Sequence, residues 1–281
     1  MKILFLTRLE YPHIGGVEKH IHEVSLNFKK IGHAVKIISE KDIKYPQVKF
    51  LGLLKIWIWL FKNRKLIEAH DIVHCHDVFI WYLPFKFLYP HKKVFTTFHG
   101  WEGVWPIPFK NIILKKIANN LSNGSIAIGK YIEKYYGIKT NKILYGGKEI
   151  TQITNKKVKN TITWVGRLEK DTGILEFIDF LDSHKNYKVS FVGDGNLRSK
   201  CEKYGKVYGF KDPKQFLPKS EMCVPAGYLS YIEAKSFKCR ILTFANNPLK
   251  VDYWDEIKKV ENFASWNEIA NEYLNLYNSS K

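Results

Sequence analysis

The feature that most constrains this chain is a repeated change of period. Short apolar runs of strand type alternate with segments whose apolar residues recur every three to four positions. "KILFLT" (residues 2–7) is followed by "IGGVEKHIHEVSLNFKKIG", in which Val17, Ile21, Val24, Leu26 and Phe28 fall at helical spacing and are expected to be buried. Gly32 ends that segment, and "HAVKIIS" begins another strand. "DIVHCHD" and "KKVFTTFHG" are two further strand-like runs, each closing in a histidine-containing turn, and "SIAIG" and "NKILYGG" follow. Strands that alternate with helical segments indicate a parallel, doubly wound sheet.

The pattern breaks once and restarts. Residues 151–160, "TQITNKKVKN", are polar and basic with no apolar period, and read as a linker. Beyond them come "TITWVG", a helix from about Gly173, "YKVSFVGDG", a second helix, "KVYGF", "EMCVPA", a helix through "YIEAKSF", and "RILTF". A chain of 281 residues is comfortable for two domains of about 130 to 150 each. The expected division is residues 1–153 and 154–281, both α/β and Rossmann-like. Ligands of such sheets bind beyond the carboxyl ends of the strands, so two facing halves would leave a central cleft.

The balance of 45 basic against 27 acidic residues gives +18 and points to an anionic partner, or to a solvated face in a lysine-rich chain. No 18-residue apolar stretch suggests a membrane span. "MKILFLTRLE" reads as a first strand, not as a signal peptide. Cys75, Cys201, Cys223 and Cys239 have neither zinc nor disulfide spacing, so the expected location is cytoplasmic. No Asp-x-Asp motif and no His-Cys cluster is present, so no metal is expected.

Candidate chemistry begins at strand ends. "VGRL" places Arg167 just after a strand, where a planar guanidinium suits a diphosphate. "VGDGNLR" puts Gly193, Asp194 and Gly195 at a strand-to-helix turn, where backbone approaches a ligand closely and a helix N-terminus attracts anions. "AGYLSYIEAKSF" holds Gly227 in a loop and Glu233 within two turns of a helix start, and that carboxylate could accept bonds from the hydroxyls of a ribose. Each of these also has a purely structural reading as a common turn or a helix-stabilising acid. A Rossmann dehydrogenase would need G-x-G-x-x-G at the first turn, and "LEYPHIGGVEKH" lacks that spacing.

The order "GRL", "VGDG", "VYGF", "GYLSYIEA" resembles the family 4 retaining glycosyltransferases of the GT-B fold, over nearly the whole chain. The first half agrees, with "IGGVEKHIHEV", "DIVHCHD" and "TTFHG" resembling the family's glycine-rich turn, the strand before a histidine, and the strand whose histidine reaches the sugar. The resemblance implies two Rossmann-like domains facing a cleft. It implies Arg167 on the donor diphosphate, Glu233 on the ribose, His99 at the sugar, Gly15 and Gly16 shaping the cleft, and backbone at Gly209 and Phe210 near the base. The chain departs from the pattern at three places. Thr172 stands where the family's diphosphate lysine precedes Gly173, with Lys170 two residues earlier; a Thr172 hydroxyl could still donate a bond there. Pro225 and Ala226 stand where the first of two glutamates belongs. "KCRIL" replaces a Gly-Pro turn.

"LLKIWIWLFKNRKLI" (53–67) interleaves Trp57, Trp59 and Phe61 with Lys55, Lys62, Arg64 and Lys65. "GWEGVWPIPFKNIILKKI" adds Trp101, Trp105, Phe109, Lys110, Lys115 and Lys116. This pattern suits the surface of an anionic membrane, which would place the protein peripherally on the inner face, or a helix packed on its sheet. No nucleic-acid signature is present, and nucleic acid is not expected as a partner. The expected function is a hexosyltransferase-type, metal-independent transfer with retention, from a nucleotide-diphosphate sugar to a lipid-linked or protein-linked glycan. UDP-sugars are favoured over GDP-sugars as donor, and no cofactor is expected. The alternative is a non-catalytic nucleotide-sugar or glycan-binding relative of the same fold.

Overall fold

The run "KILFLT" forms β1 (Lys2–Thr7), buried after its first residue because it pairs on both edges and is covered on both faces. The computed structural model describes residues 1–11, 13, 15–44, 49–149 and 156–279. After β1 come α1 (Gly16–Lys30), β2 (Ala34–Ile38), α2 (Glu40–Ile43), α3 (Lys49–Lys62), α4 (Lys65–Ala69) and β3 (Ile72–His76). Then follow α5 (Phe79–Leu88), β4 (Lys93–Phe98), α6 (Phe109–Leu121), β5 (Gly124–Ala127), α7 (Lys130–Tyr136) and β6 (Lys142–Ile143). The six strands pair in parallel in the order β2-β1-β3-β4-β5-β6, so the winding reverses between β1 and β3. On α1, Ile21, Val24 and Phe28 are buried as the period predicts, while Leu26 is exposed. A strict 3.6 period turns position 26 away from the stripe and buries Ser25 instead.

The second sheet begins with β7 (Val158–Val165), which takes in the last three residues of the expected linker; residues 151–155 lie outside the described residues. A 3₁₀ turn (Lys170–Thr172) leads into α8 (Ile174–Ser183), β8 (Lys188–Val192), α9 (Arg198–Cys201) and β9 (Gly205–Val207). β10 (Ser220–Pro225), α10 (Tyr228–Ser236), β11 (Arg240–Ile241) and α11 (Pro248–Lys258) follow. The order is β11-β10-β7-β8-β9, again all parallel, with its reversal between β7 and β10. Trp164, Phe177 and Phe191 anchor one side of this core.

The last helix, α12 (Trp266–Ser279), corrects the expected boundary. The chain forms two units, Met1–Glu102 with Pro106–Tyr145 and Trp266–Lys281, and Gly103–Trp105 with Gly146–Ser265. Residues 266–281 therefore belong to the first unit and not to the second. The physical reason is the apolar stripe Ile269, Ala270, Tyr273, Leu276 and Tyr277, which is buried against the first sheet and α1. Tyr273 lies 6.3 Å from Phe28 and Tyr277 4.7 Å from Phe95, centroid to centroid. Their hydroxyls are tied in as well, Tyr273 to His20 at 2.9 Å and Tyr277 to His74 at 2.7 Å.

Candidate functional site

In the second unit the carboxyl ends of β7 and β10 lie side by side at the winding reversal, where doubly wound sheets bind ligands. Gly166, at φ +141°, carries the chain out of β7, and the space a side chain would need there is filled by Ala226, just past β10. Arg167 is the next residue. Its side chain is more than half exposed and pairs with Asp171 Oδ2 at 2.7 Å. Lys170 is exposed. Thr172 is not a ligand donor in this geometry. It is buried, and its Oγ1 donates to Glu169 O at 2.6 Å, closing the turn before Gly173.

The glycines after β8 answer to packing. At φ +154° and +157°, Gly193 and Gly195 lie hard against the backbone carbonyls of Gly166 and Leu168, so the VGDG turn is locked onto the GRL turn. What approaches them closely is backbone of the same unit. Asp194 receives Arg198 Nη1 at 2.6 Å. Gly209, at φ +68°, follows β9 and sets Phe210 out with an exposed ring. Gly227 is the N-cap of α10, and Glu233 sits half-buried in the second turn of that helix.

One residue at this end had no sequence signal. Lys250 stands in the first turn of α11, which is capped by Asn247 through Lys250 N at 2.9 Å and begins with Pro248. Its side chain is only 3% exposed. Nζ donates to Ala226 O at 3.0 Å and lies over the rings of Tyr253 and Trp254, at 4.2 and 4.8 Å. Burial pulls its pKa down to about 7, with Asp171 opposing the fall and Arg167 adding to it.

In the first unit the strand ends carry a different set. Gly15 caps α1 in extended backbone, and the Glu18 carboxylate folds over it, so the helix N-terminus already has an acid of its own. Gly16 faces open space. His99 follows β4; its backbone N–H donates to Asp77 Oδ2 at 3.0 Å, and its Nε2 meets His76 Nδ1 at 2.9 Å. His76 Nε2 is buried with no partner among the described residues. The bond is best satisfied with His76 Nδ1–H donating to His99 Nε2. The atom of His76 left unmet is then a lone pair rather than an N–H, and His99 Nδ1–H remains free to donate. Burial, then Lys115, hold the His99 pKa down at about 3, so the ring is a neutral hydrogen-bond donor near pH 7 and not an acid. Lys115, expected on a basic surface, is buried between Asp77 at 3.2 Å and Glu102 at 3.5 Å because α6 turns it inward onto Phe98 and Tyr136.

The aromatic segment also differs from expectation. Trp57 and Trp59 are half-buried, and Trp57 Nε1 donates to Ile80 O at 3.0 Å, fastening α3 to the start of α5. The exposed apolar face of α3 is instead Leu51, Leu54, Ile58 and Phe61, beside exposed Lys55, Lys62, Arg64 and Lys65. A depression of about 800 Å³ in the first unit, lined by Met1, Asp71, Ile72 and Lys93 among others, lies at the amino ends of β3 and β4, away from the strand ends just described. Among the described residues no group of three His, Cys, Asp or Glu side chains is placed to hold a metal ion.

Residues 14–143 match the family model of Glycosyltransferase Family 4. Three solved structures are similar across nearly the whole chain. A glycosyltransferase from Rickettsia africae is 17% identical at a TM-score of 0.58, covering 99% of this chain and 88% of its own. HepE of Anabaena, solved in complex with UDP, is 15% identical at a TM-score of 0.62, covering 100% and 91%. An alpha-glucosyltransferase, in complex with UDP and a 13-mer DNA containing an HMU base, is 13% identical at a TM-score of 0.57, covering 100% and 90%. No curated protein matches the chain by sequence. Two doubly wound parallel sheets with this likeness define the GT-B fold. The match to the family model falls on the half of the chain that carries the motifs "IGGVEKHIHEV", "DIVHCHD" and "TTFHG".

Proposed function

We propose that the protein transfers a sugar, with retention and without a metal ion or other cofactor, from a nucleotide-diphosphate sugar to a lipid-linked or protein-linked glycan. A UDP-sugar is the favoured donor, in keeping with the UDP held by HepE and by the alpha-glucosyltransferase. The observation that carries this reading is the cationic end of β7. Arg167 stands exposed at the winding reversal, and the one carboxylate pairing with it among the described residues, Asp171, leaves the rest of its fork of donors to a phosphate. Same-face attack, with the leaving phosphate oxygen taking the acceptor's proton, asks the protein chiefly to stabilise charge on the departing diphosphate. Arg167 does that. Glu233 binds the ribose, Phe210 and Gly209 border the base, and His99 donates Nδ1–H to the sugar. The exposed basic and apolar face of α3 holds the protein on an anionic membrane surface where lipid-linked acceptors reside.

Arg167→Ala should lower the catalytic constant by about 100-fold or more, the scale on which one preorganised electrostatic donor acts. Its thermal transition should stay near that of the wild type, since the side chain is exposed. Turnover unchanged by the substitution would place the donor elsewhere.

The second reading, a non-catalytic relative, draws on the missing first glutamate. Pro225 lies buried in β10 and Ala226 is packed against Gly166, so neither position presents a carboxylate. Slow release of UDP from a UDP-sugar in the absence of acceptor distinguishes the two, because a binding module releases none.

A further inference from the structure

Lys250 is energetically misplaced as a purely structural residue. An ammonium has three donors, and among the described residues Ala226 O is its one hydrogen-bond acceptor. It is almost wholly buried, where an unpaired charge is expensive. It also sits in the first turn of an 11-residue helix, where the helix dipole disfavours a cation. Its surroundings offer little relief. Asp171 is the carboxylate that acts on it, and Asp171 already holds Arg167. Tyr253 and Trp254, from its own helix, present ring faces. Two cations and a helix N-terminus thus converge beside the ends of β7 and β10 with one acid among them. An anion would satisfy all three.

The position matters as much as the charge. Thr172, where the family pattern expects a lysine, is buried with its hydroxyl spent on Glu169 O. Lys250 reaches the same strand ends from a different element, through the carbonyl of the residue that packs on Gly166. Resting on the donor reading given above, we propose that Lys250 is the second cation of the donor diphosphate site, replacing the absent lysine at position 172 from the first turn of α11. Its depressed pKa has a consequence. The free protein at pH 8 holds Lys250 mostly neutral, and a bound diphosphate would return the proton.

The test is calorimetric titration of UDP and of uridine into the wild type, Lys250→Met, Lys250→Arg and Arg167→Ala, at pH 8 in two buffers of different ionisation enthalpy. UDP should take up close to one proton on binding the wild type and uridine none. Lys250→Met should weaken UDP by about 10-fold or more, the range of a charge-assisted hydrogen bond, while uridine binding is unchanged. Lys250→Arg should recover part of the UDP affinity without the proton uptake. If UDP binds the wild type with no proton uptake, or binds Lys250→Met as tightly as the wild type, Lys250 is a tether for Ala226 and the proposal fails while the donor reading stands. If the wild type binds neither UDP nor GDP, the donor reading fails and takes the proposal with it. The wild-type proton measurement decides the matter even where Lys250→Met does not fold.

Discussion

The strand ends of the two units are built from similar residue types and reach opposite electrostatic states. In the first, one cation, Lys115, lies between two carboxylates, Asp77 and Glu102, and the histidines beside it bond to one another and to tyrosines. In the second, two cations, Arg167 and Lys250, share one carboxylate among the described residues, Asp171. The first set is locally acidic and closed except at His76 Nε2 and His99 Nδ1, the second open and locally basic whenever Lys250 is protonated. A closed polar network specifies a shape, because each buried partner is costly to leave unmet. An under-compensated one specifies a ligand of the opposite charge. Under the proposed function, this contrast suits the first unit to neutral groups such as sugar hydroxyls and the second to phosphates.

The largest expected effect that separates the units is their response to acid. His20, His74, His76 and His99 are all buried with pKa values held below the ordinary 6.5, chiefly by burial and secondarily by one another or, for His99, by Lys115. Below pH 6.5 the unfolded chain binds protons that the folded unit refuses. Stability is therefore fully present above about 6.5 and is lost as pH falls toward the folded value, about 3 for His99. Each histidine contributes up to about 1.4 kcal/mol per pH unit within that window. The second unit has one histidine, His184, and it is exposed. Hydrogen exchange followed from pH 7 down to pH 4 should show β3, β4 and α12 losing protection before β7, β8 and β10. Simultaneous loss in both units, or loss in the second unit first, would refute the contrast.

How much of this was legible follows from what periodicity records. The alternation of apolar runs with helical segments gave both sheets, because a buried parallel strand leaves a local signature. The allegiance of α12 was not legible, since an amphipathic stripe declares that a helix has a buried face but not which sheet receives it. "DIVHCHD" was read as a strand closing in a histidine-containing turn, yet both His74 and His76 stand within β3, at i and i+2, and so share one face of the sheet. That spacing was the available signal for the histidine cluster. Lys250 left none. "NNPLK" announces a cap and a proline start, and burial of the lysine arises only from how α11 docks on Ala226. Arg167 was found because its strand, its turn and its family pattern all fall within a few residues.

A smaller effect sharpens the comparison from the first unit's outer surface. Leu51, Leu54, Ile58 and Phe61 recur every three or four residues on α3, all exposed, with Arg64 5.3 Å from the Phe61 ring. Four neighbouring cations would each contribute about 1 kcal/mol at an anionic surface, screened over about 10 Å at 0.1 M salt. Ile58→Ser with Phe61→Ser should reduce the salt-resistant part of binding to phosphatidylserine vesicles by roughly 100-fold, for burial of two apolar side chains at about 1.5 kcal/mol each. Trp57→Ser should instead lower stability, because its indole fastens α3 to α5. Vesicles that leave the wild type in solution at low ionic strength would remove the membrane from the reading.

The smallest effect tests whether the second unit's opening lies at Lys250 or at position 172. Thr172 closes the 3₁₀ turn through Glu169 O, and the next residue, Gly173 at φ +90°, runs so close to Phe244 that an added Cβ would stand 2.8 Å from its carbonyl oxygen. The hydroxyl is thus a structural donor in a tight corner. Thr172→Val keeps the shape and removes one hydrogen bond, so it should lower stability by about 0.5–1.5 kcal/mol in urea unfolding and leave Glu169 O without that donor. UDP affinity should not change. The expected asymmetry is a variant that moves stability and not binding at position 172, against one that moves binding at position 250. If Thr172→Val weakens UDP by 10-fold at unchanged stability, the hydroxyl turns to the diphosphate in the bound state. The second cation would then be needed less, and the open end of the second unit would be built around the 3₁₀ turn and not around α11.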